Sequence, residues 1–194
     1  MPKIIDKESL LNLAGKVVEK DGQVKIATLS DELTISQVVK FFERQGKEFT
    51  KTMIQNYVRV GVLPPPVDKR YYTKNHLVLL TLIDNLKSVY SLEEIRTVLG
   101  PVRNNPELFE DDIIKTTDMY RNYLAMRKET LGKWAESLPG LFDNVERLLG
   151  EDGVGENERN TATAFMIALT IMAETIALKD LVTSIIREFV KKEQ

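Results

Sequence analysis

Residues 51–77, "KTMIQNYVRVGVLPPPVDKRYYTKNHL", decide how this chain reads. On a helical wheel at about 100° per residue, Lys51, Thr52, Gln55, Asn56 and Arg59 fall within an arc of about 140°. Met53, Ile54, Tyr57, Val58 and Val60 take the rest. The usual polar face of an amphipathic surface helix mixes Glu with Lys, whereas this one carries no acid. Its side chains can hydrogen-bond base edges or contact phosphates, with no carboxylate to repel a nucleic-acid backbone. Thr50 is placed to cap the helix and Gly61 to end it. Pro64, Pro65 and Pro66 cannot continue a helix and favour an extended strut with little freedom left to lose. The strut holds "DKRYY" at a set distance, where Lys69 and Arg70 supply charge and Tyr71 and Tyr72 supply rigid rings with hydroxyl tips. A helix for a groove and a hook for the neighbouring backbone suit duplex DNA. Tyr72 serves equally well as a cover for the core beside Leu77 and Leu80.

Charge patterning around the stretch agrees. The segment 40–74 holds eight Lys or Arg and three Asp or Glu, a local net charge of +5 in a chain whose total is −2. A basic segment on an otherwise acidic protein fits an anionic partner that meets one face.

Outward from the stretch, nearly everything after residue 33 reads as helix. Helices are expected over about 6–19, 35–44, 51–60 and 74–88, with a turn and a short extended run in "DGQVKIATLS" after the first. Val38, Val39 and Phe42 face inward on the second, and Gly46 breaks it. Thr73 caps the helix over 74–88, whose "HLVLLTLIDNL" is apolar on most sides and therefore central. "SLEE" from Ser91 is a capping box opening a short helix that Gly100-Pro101 terminates. Beyond it, Ile113, Thr117, Tyr120, Leu124, Arg127, Leu131, Trp134 and Leu138 recur at spacings of four and three, a heptad seam expected to dimerise the chain. Pro139-Gly140 is expected to stop that long helix, with a short helix following over about 141–149. A last helical region covers about 158–191, in which Asp180 is a candidate cap for a second helix.

The motifs "ISQVVKFF", "NYVRVGVLPPP", "KRYYTKNHL" and "SLEEI" together resemble the MerR-type winged helix-turn-helix family. The order is similar to that of a bacterial MerR-like family known only as a domain of unknown function. The resemblance covers roughly residues 33–100. Gln55-Asn56 stand where that family's recognition helices carry Arg-Tyr, and the wing is short and lacks the usual glycine. With the boundary at "GPVRNNP", the chain is expected to be a mostly α protein made of three parts. These are an N-terminal extension (1–32), a winged helix-turn-helix (33–100) and a C-terminal helical region (101–194) for dimerisation and effector binding. The resemblance implies a sequence-specific, homodimeric transcriptional regulator acting on double-stranded DNA. In that reading Gln55 and Asn56 read bases, Lys51, Thr52, Arg59, Lys69 and Arg70 hold phosphates with Tyr71 and Tyr72 beside them, and Tyr57 packs the helix on the core. Two other classes stay open: a protein-interaction module on the same scaffold, and a small-molecule-binding helical protein with a vestigial DNA-binding part.

Composition and the remaining residues narrow the chemistry. With no cysteine, disulfides, cysteine-ligated zinc, iron–sulfur clusters and thiol catalysis are excluded. His76 is the single histidine, with no companion for catalysis or a metal. Glu93-Glu94 and Asp111-Asp112 sit at helix starts, where the dipole favours acids. No glycine loop cradles a phosphate, and "GEDGVGENE" lacks calcium-loop spacing. The chain reads as no enzyme, with no cofactor and no metal. Met119, Tyr120, Tyr123, Met126, Trp134 and Phe142 could line an effector pocket, although core or dimer packing is their ordinary use. "MPKIIDKESLLNLAGKVV" has no uninterrupted apolar core for a signal peptide. Glu174, Lys179 and Asp180 interrupt the most apolar segment, so a buried or dimer-forming helix is expected rather than a membrane span. A cytoplasmic home is expected, being compatible with these readings.

Overall fold

Three local signals mark helix ends within residues 51–77 and just after them. Thr50 Oγ1 accepts the Met53 amide at 3.1 Å and starts α3 (Lys51–Arg59). Gly61, at φ +75°, ends it and turns the Val62 and Leu63 amides back onto the Tyr57 carbonyl. Ser91 and Glu94 close a reciprocal capping box that opens α5 (Leu92–Leu99). The computed structural model describes residues 4–19, 32–103, 105, 107–110 and 112–190. The turn and extended run expected at 21–30, and Asp111, lie outside them. The described residues are mostly α-helical, and their only extended pairings are two isolated antiparallel bridges, Leu33 with Tyr72 and Val67 with Tyr71.

The chain divides into two compact units, one comprising residues 22–124 and 186–194, the other 1–21 and 125–185. In the first, α2 (Ile35–Glu43), α3 and α5 surround α4 (Lys74–Leu86). Every residue of α4 from His76 to Ile83 is buried, which accounts for its apolar character on all sides. Val38 and Phe42 of α2, Ile54 and Tyr57 of α3, and Ile95 and Leu99 of α5 complete the core. Each such burial is worth about 1.5–3 kcal/mol. Phe42 also stacks on Phe49 with centroids 4.3 Å apart, closing the turn between α2 and α3 in which Gly46 takes φ +70°. Lys47 and Lys87 both reach Asp84 of α4, at 2.7 and 2.8 Å. Burial pushes the Asp84 carboxyl up, but hydrogen bonds from these two lysines outweigh it and hold its pKa below the usual carboxylate value. This unit runs past the expected boundary at Gly100-Pro101 because Phe109, Met119 and Tyr120 pack on the same core.

The second unit combines α1 (Lys7–Glu19), α6 (Thr116–Glu151) from Ala125 onward and α7 (Glu156–Ile185). Leu10 and Ala14 of α1 meet Leu138, Val145 and Leu149 of α6 and Ile167 of α7. Glu146 joins α6 to α7 by accepting from Arg159 Nε at 3.1 Å and from the Thr163 hydroxyl. The Ile5 amide donates to Asn160 Oδ1 at 2.7 Å, fixing the start of α1.

Two expectations about these helices are corrected. Pro139-Gly140 does not stop α6, which continues through Pro139 to Glu151. Proline lacks the amide for the carbonyl four residues back, but Leu138, Val145 and Leu149 fall on one buried face only if the helix continues. Asp180 caps nothing, because α7 runs unbroken past it. Among the described residues, the helical stretch Glu156–Phe189 is long and apolar enough to cross a membrane.

Candidate nucleic-acid interface

α3 is held from beneath by Ile54 and Tyr57, which are 0% and 4% exposed, leaving Lys51, Thr52, Gln55 and Arg59 on its outer side. Asn56 is half-buried, and its Oδ1 accepts from Arg59 Nη2 at 2.6 Å. Its amide oxygen is thus already used in the free chain. Burial pushes the Tyr57 hydroxyl up, so it stays protonated at neutral pH.

The proline segment is anchored rather than free-standing. Val62, Leu63 and Pro64 are buried, Pro65 is exposed and Pro66 is half-buried. The anchor is His76, fully buried on α4. Its Nδ1 accepts the Thr73 amide at 3.0 Å, which leaves the proton on Nε2 to donate to the Pro65 carbonyl at 3.1 Å. The ring meets Tyr72 and Phe109 edge-on, with centroids 5.2 and 4.8 Å away. Burial pushes the His76 pKa down to about 4, and Arg103 pushes the same way against the raising effect of the Pro65 hydrogen bond. A neutral imidazole therefore sets the position of the strut. His76 reads locally as a lone histidine, and its long-range partner emerges only in the fold.

Beyond the strut the chain makes a tight hairpin. Val67 and Tyr71 exchange both backbone hydrogen bonds at 2.8 Å, and Asp68 and Lys69 take φ +51° and +58° in the turn. These two L-residues occupy the left-handed region that glycine fills most easily. Tyr72 then exchanges backbone hydrogen bonds with Leu33 at 2.7 and 3.0 Å, which ties the hairpin to the segment entering α2. Lys69 and Arg70 are exposed at the tip, and the Arg70 guanidinium lies 5.2 Å from the Tyr71 ring centroid.

α3 and the hairpin enclose an open groove of about 250 Å³, lined by Ile35, Gln55, Val58, Pro66, Lys69, Arg70 and Tyr72. It joins four of the candidate contact residues, Gln55, Lys69, Arg70 and Tyr72, on one surface. Lys51, Thr52 and Arg59 lie along the exposed side of α3 outside that lining. Ile35, Val58 and Pro66 carry no signal that sequence reading could use, since they look like ordinary core residues. Of the two uses open to Tyr72, the core-covering one fits its 4% exposure, and burial raises its hydroxyl pKa.

The other candidate residues divide between the two cores. Tyr120 is buried in the first unit with Met119, Tyr123 and Leu124 packed nearby, and Leu138 is buried in the second with Trp134 and Phe142. Leu131 is half-buried, Ile113 lies ahead of α6 at 67% exposure, and Met126 is 68% exposed. The buried seam residues face their own chain. A second hollow, of about 320 Å³, is lined by Asn75, Phe109, Glu110, Lys115, Thr116 and Thr117, and none of the six side chains considered for an effector lines it. Among the described residues no three His, Asp or Glu side chains gather to hold a metal ion.

A protein-family model described as a domain of unknown function (DUF1836) matches residues 25–123. No curated protein and no solved structure matches the chain.

Proposed function

We propose that this chain, which belongs to the DUF1836 family, is a cytoplasmic, sequence-specific regulator of transcription. In this reading it binds double-stranded DNA as a homodimer through a MerR-like winged helix-turn-helix. The observation that carries the reading is the outer face of α3. Four exposed side chains that suit bases and phosphates, and no acid, stand on a helix capped at Thr50 and wedged by Ile54 and Tyr57. Nine residues of helix are about 13 Å long, a length that fits a major groove about 12 Å wide. Gln55 reads a base edge, the natural pairing of a carboxamide being adenine N6 and N7. Asn56 joins it once Arg59 exchanges its carboxamide for a phosphate. Lys51 and Thr52 hold the backbone at the start of the helix, and Lys69 and Arg70 hold it beyond the strut.

Selection of binding sites from a random duplex pool tests this reading. An enriched inverted repeat is expected, with half-sites about one helical turn or a multiple apart. Gln55→Ala should relax the preference at one base pair per half-site, by about 10-fold to 100-fold. A pool that yields no enriched sequence would refute the reading.

A further inference from the structure

α7 carries more apolar surface than its own chain covers. Thr163 and Ile167 are buried on one side, at 1% and 3% exposure. On the opposite side Phe165, Leu169, Met172 and Ile176 are 62%, 47%, 62% and 63% exposed. Their spacings of four, three and four keep them within an arc of about 60°. We propose that this stripe is where a second copy of the chain docks, with the two α7 helices antiparallel. The proposal deepens the dimeric part of the reading above and does not rest on DNA.

Area supports a stable dimer. At about 200 Å² for a fully exposed side chain of this size, the stripe offers about 470 Å² of apolar surface per copy. A contiguous patch of that size is about the largest an ordinary monomer exposes, and such patches are often functional. Two copies would bury about 900 Å², and at the usual apolar share near 60% the whole contact comes to about 1,500 Å², the size of an ordinary stable interface. Leu178, Leu181 and Ile185 lie on the other side of α7, where Glu174 interrupts them, and are not counted.

The pattern and the charges set the direction. A 4-3-4 spacing reads the same in both directions, so Phe165 meets the partner's Ile176 while Leu169 meets the partner's Met172. Glu158 extends the stripe at its start, and Lys179 and Asp180 flank its end. Parallel packing would set Glu158, Lys179 and Asp180 each beside its own copy, three like-charge contacts. Antiparallel packing separates each of these charges from its own copy and sets Glu158 within about one turn of the partner's Lys179 and the partner's Asp180, whose charges offset each other. A lipid bilayer suits the helix less well, because a span over its apolar part carries Glu174 inside it, where a charge near the centre costs about 2.5–3.5 kcal/mol, with Lys179 and Asp180 at its end.

Sedimentation of the full chain at micromolar concentration is the test. The 22.1 kDa chain should sediment as a dimer. Leu169→Glu and Met172→Glu should each weaken association by at least about 100-fold, with unchanged circular dichroism because both side chains are exposed. Leu178→Glu should remain dimeric. Because the chain has no cysteine, a spin label on Asn157→Cys is unique, and the two labels should stand about 40 Å apart in the antiparallel arrangement. A monomeric wild type, a dimer that survives Leu169→Glu, or one equally broken by Leu178→Glu would overturn the stripe. Labels within about 15 Å would overturn the direction. Flotation with phosphatidylcholine–phosphatidylglycerol vesicles, lost in Leu169→Glu, would give the face to a lipid surface and overturn the second copy. A dimer that selects no DNA would sink the regulator and leave this interface standing.

Discussion

Lowering the pH from 7 to 5 should remove about 2 kcal/mol of stability through one side chain, His76. The folded chain holds its imidazole at about 4, while the unfolded chain returns it to its ordinary value of 6.5. A group depressed on folding favours the fold while it stays neutral. Its full contribution is therefore present above pH 6.5 and is lost progressively as pH falls toward 4. The whole shift corresponds to about 3.4 kcal/mol at 1.36 kcal/mol per pH unit. At pH 5 the unfolded chain is almost fully protonated at this site and the folded chain almost not, which gives about 2 kcal/mol. Asp84 contributes little in that window, because its effect is lost only as pH falls below the carboxylate range. Urea unfolding at pH 7, 6 and 5 reads the loss as a falling midpoint at constant slope. His76→Gln should start about 1–3 kcal/mol less stable at pH 7, having lost a fitted donor and acceptor, and should lose much less than the wild type between pH 7 and 5. A wild type that loses under about 0.5 kcal/mol across this range, or a His76→Gln variant with the same pH slope, would refute the reasoning. So would a ring titration by NMR in the ordinary histidine range.

Two further perturbations follow from the same unit. Asp84→Asn leaves Lys47 and Lys87 facing a neutral amide in a site where the carboxylate side chain is only 18% exposed, and should cost about 2–3 kcal/mol in urea unfolding at pH 7. Its cost should shrink as pH falls below the usual carboxylate range, where the wild-type carboxylate takes up a proton. Lys69→Gly relieves a left-handed residue at the hairpin tip and should stabilise the fold by about 0.5–1 kcal/mol while weakening DNA binding by one phosphate contact. Opposite signs in the melt and the binding assay distinguish this from general damage to the hairpin.

The parts of the fold legible in the sequence are those written within a few residues. Thr50, Thr73 and Ser91 mark helix starts because a cap acts only three residues ahead, and Gly61 marks an end because its φ must be positive. The run from His76 to Ile83 announces a central helix because no polar face interrupts it. What stayed hidden depends on distant partners. Nothing near His76 points to Pro65, nothing near Asp84 points to Lys47, and the pairing of Leu33 with Tyr72 spans the whole of α2 and α3. Pro139 reads locally as a stop, yet packing in the second core carries α6 through it. The heptad seam is a real periodicity, but Tyr120 and Leu138 spend it on two different cores of their own chain. At the candidate site, the polar face of α3 could be read from the wheel alone. The Asn56–Arg59 hydrogen bond and the left-handed turn at Asp68-Lys69 could not, because they depend on side-chain and turn geometry.

The salt dependence of binding to a selected duplex, compared between wild type and Arg59→Ala, tests the central claim most directly. Wild-type affinity should fall steeply with salt, and Arg59→Ala should bind more weakly with a slope flatter by about one unit per copy for its lost phosphate contact. Salt-insensitive binding, or an Arg59→Ala slope equal to that of the wild type, would contradict the claim.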